Sequence, residues 1–335
     1  MITGTRTRWQ TELQQAVTDP AELLSMLALD PALLDGARDA VKLFPLRVPR
    51  GFVARMRTKD PHDPLLRQVL PIDAETTSAP GFTVDPVGDL ASAARPGLLH
   101  KYHGRVLLVI TGACAVNCRY CFRRHFPYGQ ENPRGGQWRD ALDYVRGDET
   151  ITEVILSGGD PLSLTDRRLA ELATAIADIP QVRRLRIHTR QPVVLPSRID
   201  QAFLDWFAPL PLQKVVVVHA NHANEFDTHV AAALAAITAA GATLLNQSVL
   251  LRGVNDSVEA LSALSESLFA AGVMPYYLHL LDRVAGAAHF DLPLERAQRL
   301  HADLQARLPG YLVPKLVREE AGAPAKTLVP PTVLK

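Results

Sequence analysis

The sequence predicts an α/β protein whose main body is a partial (β/α)6 barrel of the TIM type, with a helical N-terminal region before it and a C-terminal tail after it. From Val106 onward, short β-branched and aliphatic runs recur as VLLVITG, EVILSGG, LRIHT, KVVVVHA, TLLNQSVL and MPYYLHLL. Stretches suited to helices separate them, and this alternation implies parallel strands joined by right-handed crossovers. Each run also ends in polar, chemically able residues, as the C-terminal rim of such a barrel would.

Composition bounds the partners. The 335 residues are 47% apolar, and 36 Lys and Arg nearly balance 35 Asp and Glu. No global field therefore draws the chain to nucleic acid or to an anionic membrane, and a small-molecule partner is expected. MITGTRTRWQTELQQ lacks the apolar core of a signal peptide, and no apolar run is long enough to span a bilayer, so the expected location is cytoplasmic.

Residues 1–97 read as a helical N-terminal region. In TDPAELLSMLALDPALLDG two helix starts share one design: Asp19 and Asp30 as caps, Pro20 and Pro31 at first helical positions, and Glu22 placed for a capping box. The following VPRGFVARMRTKDPHDPLLRQVLP, rich in Pro and Arg, holds no sustained period.

Residues 98–290 form the predicted barrel. DRRLAELATAIADI sets Leu169, Leu172, Ala173 and Ile176 on one helical face. DTHVAAALAAITAAG and VEALSALSESLFAAG repeat the pattern, each ending at a glycine suited to a C-terminal cap. The strand ends then deliver, in order, a cysteine loop; Gly158, Gly159 and Asp160; His188 and Arg190; His219; Gln247; and Asp282. Residues 291–335 make a C-terminal segment whose last part, EEAGAPAKTLVPPTVLK, would by itself read as a loose terminus.

All three cysteines, Cys114, Cys118 and Cys121, lie in CAVNCRYCFRRH. In a reducing compartment an odd, tight cluster of thiols points to a metal rather than to crosslinks. Structural zinc would need a fourth ligand, which His125 could supply. A 4Fe-4S cluster held by only three thiolates would instead leave one iron open to bind something else. A long loop directly after the first barrel strand favours the cluster, because it sets that open iron at the barrel mouth.

The CxxxCxxC spacing, with Tyr120 before the third cysteine, resembles the radical S-adenosylmethionine (SAM) enzymes. There three thiolates hold three irons and the amino and carboxyl groups of SAM chelate the fourth. LSGGDPL is similar to that family's glycine pair, which meets the methionyl amino group; glycine permits the close backbone approach. The resemblance implies that Gly158, Gly159, Asp160, His219 and Gln247 contact SAM, with a buried structural role the rival reading for His219.

CRYCFRRH, LSGGDPL, RIHTRQPVVLPSRI, NQSVLLRGVND, PYYLHLLD and PGYLVPKL together resemble the lysine 2,3-aminomutases from about Pro61 to Thr327, and most of all their short, EpmB-type form, which makes β-lysine for elongation factor P. Larger aminomutases carry an extra cysteine-bearing C-terminal segment. The resemblance implies a second cofactor, pyridoxal 5′-phosphate (PLP), attached to Lys326, with Arg105 and neighbouring Tyr102 at its phosphate. The larger enzymes have a glycine run before that lysine, whereas here only Gly322 stands among Ala321, Ala323, Pro324 and Ala325. It further implies that Arg123 clamps the substrate carboxylate while Asp282 and Glu319 receive the distal ammonium of free L-lysine. His279 stands where larger relatives have a tyrosine. Without the resemblance Lys326, Arg105, Arg123 and Glu319 would pass for solvated side chains.

The implied reaction is the isomerisation of α-lysine to β-lysine by a SAM-derived radical, started by an electron from a donor such as flavodoxin or ferredoxin. The tail carrying Lys326 would close the site. Dimerisation is left open. Rival readings are a catabolic aminomutase, one acting on another amino acid, and, from a different class, a zinc-stabilised binding protein.

Overall fold

A computed structural model describes residues 7–131 and 138–330. The first six residues of the N-terminal stretch and the last five of the tail lie outside this range. Ten strands form one sheet in sequence order: β1 (Ala93–Arg95), β2 (Leu98–Tyr102), β3 (Arg105–Val109), β4 (Glu153–Ser157), β5 (Arg184–Thr189), β6 (Gln213–Val218), β7 (Ala242–Val249), β8 (Met274–His279), β9 (Lys315–Arg318) and β10 (Thr327–Leu328). The six runs read from the sequence are β3 to β8, each parallel to the next.

The sheet exceeds the six predicted strands at both ends. β1 and β2 form antiparallel partners before β3, β9 adds a further parallel strand after β8, and β10 folds back antiparallel on β9. The tail is thereby tied down: Thr327 pairs with Arg318 and Leu328 with Val317. That pairing is what holds Lys326 beside the barrel instead of in a loose terminus.

β4 is buried at all five positions, as expected of a strand covered on both faces. The helix Asp166–Ala177 buries Leu169, Leu172, Ala173 and Ile176, the predicted face. Helices Thr228–Ala239 and Val258–Ala270 are each followed by a glycine at positive φ, Gly241 at 84° and Gly272 at 74°, which only glycine adopts without strain. No described helix is long and apolar enough to cross a membrane.

The N-terminal region follows the sequence only in part. Asp19 caps Pro20–Met26 by accepting from the Ala21 amide at 2.9 Å. Asp30 likewise accepts from the Ala32 amide at 2.9 Å, but this closes a turn, and the helix begins at Leu33 rather than Pro31. Glu22 turns away from a capping box to pair with Arg50. A separate core, including Leu24, Phe52, Leu65 and Val69, packs against Ala115, Val116 and Cys118. The N-terminal region is therefore the backing of the cysteine loop.

Candidate active site

Sequence position and fold converge on one cavity of about 470 Å³. Every predicted site residue lines it: Cys114, Cys118, Cys121, Gly158, Gly159, Asp160, His219, Gln247, Arg105, Tyr102, Arg123, Asp282, Glu319 and Lys326. A groove of about 620 Å³ between the N-terminal region and the outer helices contains none of them.

At one end stand the thiols. The loop after β3 is held by the Asn117 amide on the Arg47 carbonyl at 2.9 Å and the Arg119 amide on the Gln68 carbonyl at 2.9 Å. Beneath it the fully buried Arg119 donates to both Glu75 oxygens, at 2.8 and 2.5 Å, and Arg124 shares Glu75 at 2.8 Å. Burial pushes Cys121 up to about 11 and Cys114 upward as well, and the neighbouring thiols add to both shifts. No described group of three or more His, Cys, Asp or Glu is gathered tightly enough for a single metal ion. His125 instead contacts the Ala285 carbonyl at 3.0 Å, so a Cys3His zinc set is not assembled.

The glycine pair has a reason the sequence did not disclose. Gly158 has φ +129°, and a Cβ there would lie 2.4 Å from the Thr111 carbonyl; one on Gly159 would lie 2.4 Å from that of Ala113. β4's end thus packs backbone to backbone against the start of the cysteine loop, with Gly159 donating to Thr111 at 2.6 Å. Asp160 likewise serves the frame: it accepts from the Leu162 amide at 3.0 Å, the Thr189 hydroxyl at 2.7 Å and the Arg190 amide at 2.7 Å.

The other end is charged. Lys326 donates to Glu319 at 2.7 Å, and the Tyr102 hydroxyl donates to the other Glu319 oxygen at 2.5 Å. Arg123 is anchored on Asp89 at 2.7 Å and Ser157 at 3.0 Å, and Lys101 shares Asp89 at 2.7 Å. Burial pushes Asp282 up to about 7 despite Lys326 nearby. The Arg105 guanidinium sits 4.7 Å from the Tyr102 ring centroid. Between the two ends, the Nε2 atoms of His188, His219 and His279 are buried without a hydrogen-bond partner. Burial lowers all three, His219 to about 4, so they present neutral imidazoles to the cavity.

Comparison with known proteins bears on this arrangement. Residues 108–262 match the Radical SAM superfamily. The L-lysine 2,3-aminomutase of Escherichia coli is 52% identical over 97% of this chain and 95% of its own length. That of Haemophilus influenzae is 48% identical over 96% and 95%, and that of Clostridium subterminale 33% identical over 96% and 78%. The chain belongs to the lysine 2,3-aminomutase family.

Members of this radical SAM family are isomerases that use a 4Fe-4S cluster, SAM and PLP. The residues present fit all three groups. Three thiols without a fourth leave an iron corner for SAM. Three orphaned imidazole nitrogens are hydrogen-bonding capacity that a ligand in the cavity would satisfy. Lys326 and Arg105 face the same space and suit an aldehyde carbon and a phosphate respectively.

Sequence reading of this aminomutase site missed Asp89, Lys101, Ser157, Tyr277, whose ring centroid lies 5.8 Å from the Lys326 Nζ, and the Arg190 partners Gln68 and Glu225. Asp89 and Lys101 lie in segments without periodicity, and nothing local marks them. Arg190 stood at a predicted strand end, so its place was legible although its contacts were not.

Proposed function

We propose that the protein is an L-lysine 2,3-aminomutase that converts α-lysine to β-lysine for post-translational β-lysylation of elongation factor P. The observation that supports it most is one cavity joining three thiols at one wall to Lys326, Glu319 and Asp282 at the other, in a chain 52% identical along 95% of an L-lysine 2,3-aminomutase. The elongation factor role is supported by likeness to the short form: the chain is 52% identical to the Escherichia coli enzyme and 33% to the clostridial one.

When bound, the cluster with SAM supplies a carbon radical and PLP supplies a π system for the migrating nitrogen. The chain's own residues do the rest. Cys114, Cys118 and Cys121 hold the iron, and the backbone at Gly158 and Gly159 shapes the wall beside it. Lys326 attaches PLP, and Arg105 with Tyr102 receives the phosphate end. Arg123, fixed by Asp89 and Ser157, presents a rigid guanidinium to the substrate carboxylate. Glu319 and Asp282 give the distal ammonium two carboxylates, which selects a basic amino acid. The barrel walls around the cavity limit the access of stray hydrogen donors to the radical. The reductant belongs to the flavodoxin or ferredoxin class, and the reaction takes place in the cytoplasm.

Anaerobic protein given lysine, SAM, PLP and a reductant should form β-lysine, read by chromatography and mass spectrometry. Recovery of α-lysine alone by cluster-loaded, PLP-loaded protein would refute the activity. Elongation factor P from cells lacking the protein should lose its lysyl mass increment; an unchanged mass would point to the catabolic role.

A further inference from the structure

Arg190, at the end of β5, reaches the cysteine loop. Its Nη1 lies 2.8 Å from the Cys118 sulfur and 2.7 Å from the Tyr120 hydroxyl. Nη2 donates to Gln68 at 2.7 Å and to Glu225 at 2.9 Å. Its backbone amide is held by Asp160, and the residue is 6% exposed. Glu225 is itself buried and fixed by the Asn221 amide at 2.7 Å and Gln68 at 3.2 Å. One guanidinium thus bridges the N-terminal region, two barrel strand ends and a cluster thiol. A long charged side chain held at four points costs much desolvation, and its ion pair with Glu225 alone would not call for a sulfur contact.

We propose that Arg190 is a positioning residue for the iron–sulfur cluster, whose charge-assisted hydrogen bond to the Cys118 thiolate raises the cluster's reduction potential and makes it easier to reduce. This deepens the proposed function and rests on it. Reduction adds an electron to an already anionic assembly, and a fixed cation donating to a ligand sulfur stabilises the reduced form more than the oxidised one. The effect matters here because three thiolates already load the cluster with negative charge that makes an added electron costly, and the radical cannot form before that electron arrives. Tyr120 and Asn221, joined at 2.7 Å, keep the guanidinium against the sulfur.

The test is a redox titration followed by electron paramagnetic resonance on the anaerobically reconstituted full chain without substrate. The double variant Arg190→Met with Glu225→Gln removes the cation and donor while leaving no buried charge unpaired. With iron and sulfide content matched to wild type, its reduced-to-oxidised ratio at a fixed poise is expected to fall about tenfold, which for a one-electron couple is about 59 mV. Arg190→Lys, which keeps a cation, should give an intermediate ratio, and it carries the test should the double variant fail to fold. A wild-type ratio in either variant at full iron content overturns the proposal and leaves Arg190 a structural ion-pair member. Failure of the wild-type chain to assemble any reducible cluster is a separate outcome, and it overturns the radical reading on which the proposal stands.

Discussion

Lys326 and Glu319, seven residues apart at the two ends of the connection between β9 and β10, form an ion pair of 2.7 Å at the cavity wall. The lysine proposed to attach PLP thus places its ammonium on the carboxylate proposed to receive the substrate's ammonium, which is the same chemical group. Attachment to PLP would remove that ammonium and free Glu319 from this pair. Lys326→Ala should abolish the visible absorption of bound PLP and all β-lysine formation while leaving iron content unchanged. Glu319→Gln should retain PLP but raise KM for lysine about tenfold or more, the scale of one charge-assisted hydrogen bond lost. Unchanged KM would remove Glu319 from substrate recognition.

Asp282 should give the proposed substrate site a pH dependence. Burial raises its carboxyl from 3.8 to about 7, so it is neutral below that pH and negative above it. Lysine binding to the PLP-loaded protein, followed calorimetrically, should tighten as pH rises from about 6 to about 8. The stability sign is opposite. With the folded value above the unfolded one, folding favours the protonated form, so this group's contribution is present below about 4 and is lost by about 7. Asp282→Asn should therefore raise Tm at pH 8 by about a few degrees while flattening the binding profile. A binding profile that persists in Asp282→Asn would assign it to another group.

Gly159→Ala tests the contact between β4 and the cysteine loop. Its Cβ would meet the Ala113 carbonyl at 2.4 Å and the Gly112 carbonyl carbon at 2.7 Å, both backbone atoms that cannot rotate away. The loop must shift, and the expected result is a cluster whose paramagnetic spectrum no longer responds to SAM, with activity down at least about a hundredfold. A wild-type response would show that the loop accommodates the methyl group.

Glu75 should govern the stability of the apo-protein. It neutralises both Arg119 and Arg124, and the Arg119–Glu75 pair is 0% exposed on both sides. Glu75→Gln leaves two guanidinium groups without a counter-charge under the cysteine loop. Urea denaturation should show a loss of about 3–5 kcal/mol, the usual consequence of breaking a buried pair from one side. A loss below about 1 kcal/mol would mean that water or other groups compensate.

The barrel was legible in the sequence because β3 to β8 carry five to eight residues each, enough for a β-branched run to show. β1, β9 and β10 have three, four and two residues, too few for any periodicity, and it is pairing that defines them. Asp30 misled because an aspartate accepting from the amide two residues on closes a turn as readily as it caps a helix. The cysteines and Lys326 were recognisable by motif and resemblance, and the cavity brings them together. Asp89 and Glu225 were invisible because their importance lies in partners 34 and 35 residues away, Arg123 and Arg190, which only the fold makes neighbours.

The central claim is that three thiolates in this loop hold a cluster with one iron left for SAM. The most direct measurement is the electron paramagnetic resonance spectrum of anaerobically reconstituted, dithionite-reduced protein before and after SAM is added, with metal analysis of the same sample. Four irons and four sulfides per chain are expected, with a spectrum that changes on adding SAM. A single zinc without iron, or a reduced cluster whose spectrum SAM leaves untouched, would contradict it.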